Sequence, residues 1–200
     1  MIEEIYIVSA PSGAGKTTLL KRLLAGDPGL RFSISYTTRP PRTQEAHGQE
    51  YFFVSREEFI QIRDQGGLLE WVEQFGHFYG TSRDYVFKSL SEGYGIVFDI
   101  DVQGARALKK SFPYSTFIFI LPPSLEILEQ RLRERGELSP EELARRLARG
   151  RSDVGEAHWY DYLVVNDDLA GALTDLQAII RAHRCRTPRV WPPLASRFDF

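Results

Sequence analysis

Residues 8–18 read VSAPSGAGKTT. A phosphate-binding loop follows G-x-x-x-x-G-K-[ST], in which backbone N–H groups cradle phosphate and the lysine and hydroxyl reach it. Gly15, Lys16 and Thr17 fit, but the first position holds Ala10 instead of glycine. Glycine is needed where φ is positive or where a Cβ would strike the phosphate. Gly13 and Gly15 fall inside the cradle; Ala10 falls at its entry, where a methyl is tolerable. The flanks supply the context. Ile5–Val8 is a short apolar run that predicts a buried strand. Thr17–Leu24 carries leucines at 19, 20, 23 and 24, a helical spacing, and Gly26, Asp27, Pro28 and Gly29 stop it. A glycine turn capping a helix is the plainer alternative. Strand, loop and helix in this order favour a triphosphate site over Ala10, Pro11, Ser12, Gly13, Ala14, Gly15, Lys16, Thr17 and Thr18.

The rhythm continues along the chain. Gly95–Phe98 leading into Asp99, Ser115–Leu121 closed by two prolines, and Tyr162–Val165 read as buried strands. Val102–Lys110, Leu125–Arg135 and Leu169–His183 read as helices. Such alternation predicts an α/β fold with a parallel sheet covered on both faces. Thr17 would offer a hydroxyl to Mg²⁺, and Asp99 at a strand end is its expected acidic partner. If that strand runs on, Asp101 shares the side of Asp99 and looks into the same crevice. The alternative for Asp101 is a cap on the following helix.

Two segments depart from the alternation. Residues 31–80 hold short aromatic pieces, Phe32–Tyr36, Tyr51–Val54, Leu68–Phe75 and His77–Tyr79, which predict a β-rich insertion. One helix interrupts them, behind a capping box of Ser55 and Glu58. Within SISYTTRPPR, residues 33–42, Arg39 and Arg42 flank two stiffening prolines, which suits a phosphate dianion. A solvated basic loop is the alternative. The second departure is Gly136–Gly155, where Ser139, Pro140 and Glu142 mark a helix start. Seven arginines lie between 131 and 151, and a solvated face paired with nearby glutamates accounts for most of them. Cys185–Phe200 has three prolines and no periodicity, and reads as a tail docked by Val190, Trp191 and Phe198.

Composition bounds the rest. The chain has 200 residues, 42% hydrophobic and 26% charged, enough for one domain with an inserted subdomain. Its net charge of −2 gives no global attraction to nucleic acid or anionic membrane, so any anion site is local. The single cysteine, Cys185, excludes an intrachain disulfide. The acidic start MIEEIYIVSAP lacks a basic region before its apolar run, and no apolar stretch approaches 18 residues. A soluble cytoplasmic protein is expected, with monomer and homo-oligomer both open.

Taken together, APSGAGKTT, SISYTTRPPR, GQEYFFVS, LLEWVE, FYGTS, FDIDVQG and YDYLVVNDD resemble guanylate kinase, in the family's order and spacing over roughly residues 3 to 185. The resemblance implies phosphoryl transfer from ATP to GMP, and to dGMP, with Mg²⁺. It implies a P-loop kinase core (1–32, 81–125 and 156–184), a GMP-binding insertion (33–80), a helical lid (126–155) and a tail (185–200). It assigns Ser35, Glu70 and Asp101 to guanine, and Arg39, Arg42, Tyr51 and Tyr79 to the GMP phosphate. Lys16, Arg135 and Arg146 would carry catalysis, with Arg131 a weaker candidate, and Asn166 would lie near the adenine. The guanine set is chemically sensible: guanine offers an acceptor at O6 and donors at N1 and N2, and a hydroxyl plus carboxylates complement them. Ala10, Tyr36, Asp153 and Arg149–Gly150–Arg151 depart from the family's usual residues. Two rivals keep the fold: a non-catalytic binding module, expected to have a degraded phosphate loop, and a ribose-phosphate kinase, expected to lack the guanine set.

Overall fold

The computed structural model describes residues 4–43, 45–74, 76–134 and 139–198. Its first strand, β1 (Ile5–Ser9), is wholly buried and lies in the middle of a five-stranded sheet. β2 (Leu30–Phe32) and β7 (Gly95–Asp99) lie on one side of it, β8 (Thr116–Leu121) and β9 (Tyr162–Val165) on the other, and every pairing is parallel.

A strand sends alternate side chains to opposite faces, and here both faces are covered. Tyr6, Val8, Val97, Ile118 and Ile120 pack with Leu19, Leu20 and Leu23 of α1 (Lys16–Gly26) and Ala172, Leu176 and Ile180 of α7 (Leu169–Arg184). On the reverse face, Ile5, Ile7, Phe98, Phe117 and Phe119 pack with Val86 of α3 (Arg83–Ser91) and Val102, Ala105 and Leu108 of α4 (Val102–Ser111). Full burial of both faces explains why β1, β7 and β8 read as continuous apolar runs. Edge strand β9, equally apolar, is not the buried strand expected, since only Val164 is buried and Tyr162, Leu163 and Val165 are exposed.

The expected β-rich insertion is a second sheet of four strands, in the order β4 (Tyr51–Phe53), β3 (Ser35–Thr37), β6 (His77–Ser82) and β5 (Leu68–Gln74). The single piece Phe32–Tyr36 divides: Phe32 ends β2 in the parallel sheet, whereas Ser35 opens β3 in the small one. Here α2 (Arg56–Asp64) begins at the predicted capping box, Ser55 with Glu58, and packs Phe59 on Leu68 and Phe78.

Beyond β8, α5 (Leu125–Glu134) and α6 (Pro140–Gly155) form a pair around Leu128, Leu132 and Leu143. Ser139 caps α6 by accepting from the Glu142 N–H, with Pro140 in the first turn. The tail is not irregular. It forms α8 (Thr187–Ala195), and Val190, Trp191 and Phe198 do not dock it: they are exposed, with Trp191 stacked on Phe198. An ion pair links the tail to the body, Arg189 with Glu4, which also holds Arg184. No α8 residue is buried, so aromatic content there signals no packing.

Candidate active site

The loop leaving central strand β1 turns directly into α1. Gly13 (φ 100°) and Gly15 (φ 92°) both occupy the positive-φ region, where a side chain would strain the backbone. At Gly15 the requirement is double, because a Cβ would also collide with the Asn166 side-chain amide. Asn166 is buried after β9 and donates from Nδ2 to the Ala14 carbonyl at 2.7 Å. Its own carbonyl accepts from Arg131 at 3.0 Å. Asn166 and Arg131 therefore act on the loop from β9 and α5.

Lys16 opens α1 and crosses to the end of β7. Its Nζ lies 2.6 Å from Asp99 Oδ1 and donates to the Ile100 carbonyl at 2.8 Å. Thr17, the next residue, is exposed at the same helix end. Of the two readings open for Asp101, the structure takes the helix cap and not a continued strand. β7 ends at Asp99, and Asp101 caps α4 by accepting from the Gly104 N–H at 2.9 Å. Breaking the strand lets the Asp101 carboxylate cap a helix and still receive the Gln74 side chain and Arg149.

The small sheet faces this centre. Glu70 sits in β5 where the register with β6 shifts, and it is buried. Thr81 donates to Glu70 Oε1 from its hydroxyl at 2.5 Å and from its backbone N–H at 3.2 Å. Burial nevertheless raises the Glu70 pKa above the ordinary carboxylate value. Ser35, opposite Thr81 in the β3–β6 register, lies 3.4 Å from its hydroxyl. Ser35, Thr81 and Glu70 thus form one polar line, with Asp101 close enough to push Glu70 further up.

Beside that line lies a cationic corner. Arg39 pairs with Glu45 at 2.8 Å and stands 5.6 Å from the Tyr51 ring centroid. Tyr51 and Tyr79 meet edge to face at 6.1 Å. Glu45 holds Arg39 above its ordinary pKa, with a smaller contribution from Tyr79. Burial raises the pKa of the Tyr51 hydroxyl, and the charge of Asp99 at the end of β7 adds to the effect. Arg42 is exposed, and its backbone N–H donates to Glu45.

The Arg-rich helices are placed unequally. Arg146 pairs with Glu142 along its own helix at 2.7 Å. Arg149 instead reaches Asp101. Arg135 lies outside the described residues. Among the described residues, no group of three or more His, Cys, Asp or Glu side chains is arranged to hold a metal ion, and no helix is long and apolar enough to cross a membrane. Three groups of the cleft carry no assignment from sequence: Thr81, Gln74 and Arg149. Thr81 was within reach of a strand argument, since it shares the face of Tyr79 two residues earlier.

The chain that carries this two-walled arrangement, a glycine loop opposite a polar, carboxylate-bearing sheet, is similar in sequence and fold to known proteins. The guanylate kinase family model covers residues 3–183. The chain belongs to the guanylate kinase family. A guanylate kinase of Geobacter metallireducens is 45% identical over 195 residues, 98% of this chain and 96% of its own length. That of Escherichia coli is 47% identical, over 92% of this chain and 90% of its own. A crystal structure of guanylate kinase from Anaplasma phagocytophilum superposes with a TM-score of 0.79 at 32% identity, covering 100% of this chain and 97% of that one. Within this family the chain is a nucleoside monophosphate kinase, an ATP:GMP phosphotransferase.

Proposed function

We propose that the cleft transfers the γ-phosphoryl group of ATP in line to the phosphate of GMP, with dGMP as a second acceptor. The observation that carries the choice of acceptor is the buried Glu70, held beside Ser35 and within the field of Asp101. Glu70 accepts from guanine N1–H and the 2-amino group, Asp101 assists at the amine, and Ser35 donates to O6. Adenine would leave a buried carboxylate facing acceptors and a C–H, a cost of several kcal/mol, on the order of the penalty for an unpaired buried charge. Arg39, Arg42, Tyr51 and Tyr79 hold the acceptor phosphate, their positions supported by the Arg39–Tyr51–Tyr79 corner.

The acceptor oxygen is already anionic, so no strong general base is needed, and catalysis is positioning plus charge stabilisation. Residues 10–18 cradle the ATP phosphates through backbone N–H groups and the N-terminus of α1. Lys16 exchanges Asp99 for the phosphates, and Arg135 and Arg146 neutralise the transferring group. The Thr17 hydroxyl and the Asp99 carboxylate are hard oxygen donors that would hold Mg²⁺, an ion that takes few protein ligands. When bound, Mg²⁺ supplies charge neutralisation at the phosphates. Asn166 lies beside the adenine while its amide holds the loop.

Residues 33–80 act as the acceptor-binding unit, 126–155 as a lid that excludes water, and 1–32, 81–125 and 156–184 as the core. The setting is purine nucleotide metabolism in the cytoplasm, without nucleic acid or membrane partners. A coupled assay of ADP release with ATP and a panel of GMP, dGMP, AMP and UMP tests the reading. GMP-dependent release is expected, and its absence overturns the acceptor assignment.

A further inference from the structure

Asp101 is held from three sides. Its Oδ1 accepts from the Gly104 N–H, the cap of α4. Its Oδ2 accepts both from the Gln74 amide of β5 and from the Arg149 guanidinium of α6, the latter at 3.0 Å. Core, small sheet and Arg-rich helix therefore meet on one carboxylate. Of the three donors, only Arg149 brings charge. It is also the wettest, its side chain being 45% exposed against 22% for Asp101. Its neighbour Gly150 is buried against Leu128 and Pro11, which sets α6 directly over the phosphate loop. Asp153, one turn further on, is the other carboxylate in the field of Arg149.

A carboxylate oxygen offers two lone pairs, and Oδ2 already accepts two donors. A third donor arriving there displaces one of them. Returning an exposed guanidinium to water costs little, whereas stripping the less exposed Gln74 amide of its partner costs more. Arg149 is the donor that gives way.

We propose that Arg149 is a specificity-determining residue: it neutralises Asp101 while the acceptor site offers no donor, and yields Asp101 to the exocyclic 2-amino group of a purine nucleotide. The proposal rests on Asp101 reading that amine. A purine without a 2-amino group leaves the Arg149–Asp101 pair whole. One that carries the group breaks the pair and frees a guanidinium on the lid helix, three residues beyond Arg146. The identity of the base is thus registered on α6. The pair opposes guanine and does not oppose hypoxanthine. For a half-exposed ion pair this opposition amounts to about two- to fivefold in affinity.

The experiment is calorimetric titration of the full chain with GMP and with IMP, which lacks the 2-amino group. Wild type, Arg149→Met, Arg149→Lys and the neighbouring lid substitution Arg151→Met are compared. Wild type should prefer GMP. Arg149→Met should raise the GMP-over-IMP ratio about two- to fivefold, through tighter GMP binding with IMP nearly unchanged. Arg149→Lys keeps the charge and should stay near wild type, as should Arg151→Met. An unchanged or lowered ratio in Arg149→Met, or an equal rise in Arg151→Met, overturns the role of Arg149 and leaves Asp101 as the reader. Equal wild-type affinities for GMP and IMP remove the Asp101 reading and this proposal with it.

Discussion

Between Ala10 and Thr18 one wall of the cleft is a single continuous turn, whereas across from it Ser35, Glu70 and Asp101 come from β3, β5 and the cap of α4. The first wall is a backbone turn, and its positive-φ positions, Gly13 and Gly15, are ones that glycine takes without strain. The second works through side chains, and its cost is the burial of Glu70. On the proposed reading, a loop that holds triphosphate by backbone N–H groups needs glycine only inside the turn, and Ala10 stands at its entry. A base-reading wall tolerates far less, because each polar atom has one partner to meet. The donor half is therefore local and generic; the acceptor half is distributed and selective.

If the two halves act separately, Lys16→Met should lower turnover by about 10³-fold while GMP affinity stays within about twofold. Coupled ADP release and GMP titration measure the two, and a parallel loss of both would dissolve the distinction. Glu70→Gln should do the reverse, weakening GMP by about 10- to 100-fold and leaving ATP affinity unchanged, since a hydrogen bond to a charged group is being lost. The same substitution has a signature in stability. Burial raises the Glu70 pKa, so folding is favoured at pH below the ordinary carboxylate value, and that contribution is lost as pH rises through the raised value. Glu70→Gln keeps an acceptor for Thr81 and removes the buried charge. Its melting temperature at neutral pH should exceed that of wild type, and this part of the pH dependence should flatten.

A smaller effect is expected at Asn166→Ala, which leaves the Ala14 carbonyl unpaired and should cost about 1–3 kcal/mol in denaturant unfolding. ATP binding should weaken with it and GMP binding should not. The smallest belongs to removal of residues 187–200. α8 buries no side chain, and its Arg189–Glu4 pair is worth less than about 1 kcal/mol, so unfolding and both nucleotide affinities should barely change.

How legible the molecule was depended on how far apart the relevant residues lie in the chain. The central strands β1, β7 and β8 announce themselves because burial on both faces makes them apolar, whereas the short edge strand β2 does not. Ser55 with Glu58 and Ser139 with Pro140 announced helix starts, since caps act within one turn. α3 escaped notice: Arg83–Ser91 is short, and Val86 is its only large buried apolar side chain. α8 was misread because Pro188 is compatible with a first turn, while Pro192 and Pro193 sit inside a helix that no core supports. The sequence named Arg146 and left Arg149 among the spare lid arginines; spacing alone does not say which side of α6 looks at Asp101.

By itself the sequence determined the phosphate-loop pattern, the two predicted helix caps and the central strands of the parallel core; the resemblance supplied the guanine set as a proposal. These depend on spacing within one turn, one strand or one motif. Only the tertiary structure decided that Asp101 caps α4 instead of extending β7, that Thr81 pairs with Glu70, that Asn166 holds Ala14, and that Arg149 reaches Asp101. The Asp101 cap is local, the alternative that its position in the sequence left open; the other three contacts join separate elements. Such contacts are set by sheet register, by the close seat of Gly150 on Leu128 and by which buried polar atom lacks another partner, and no local pattern encodes them.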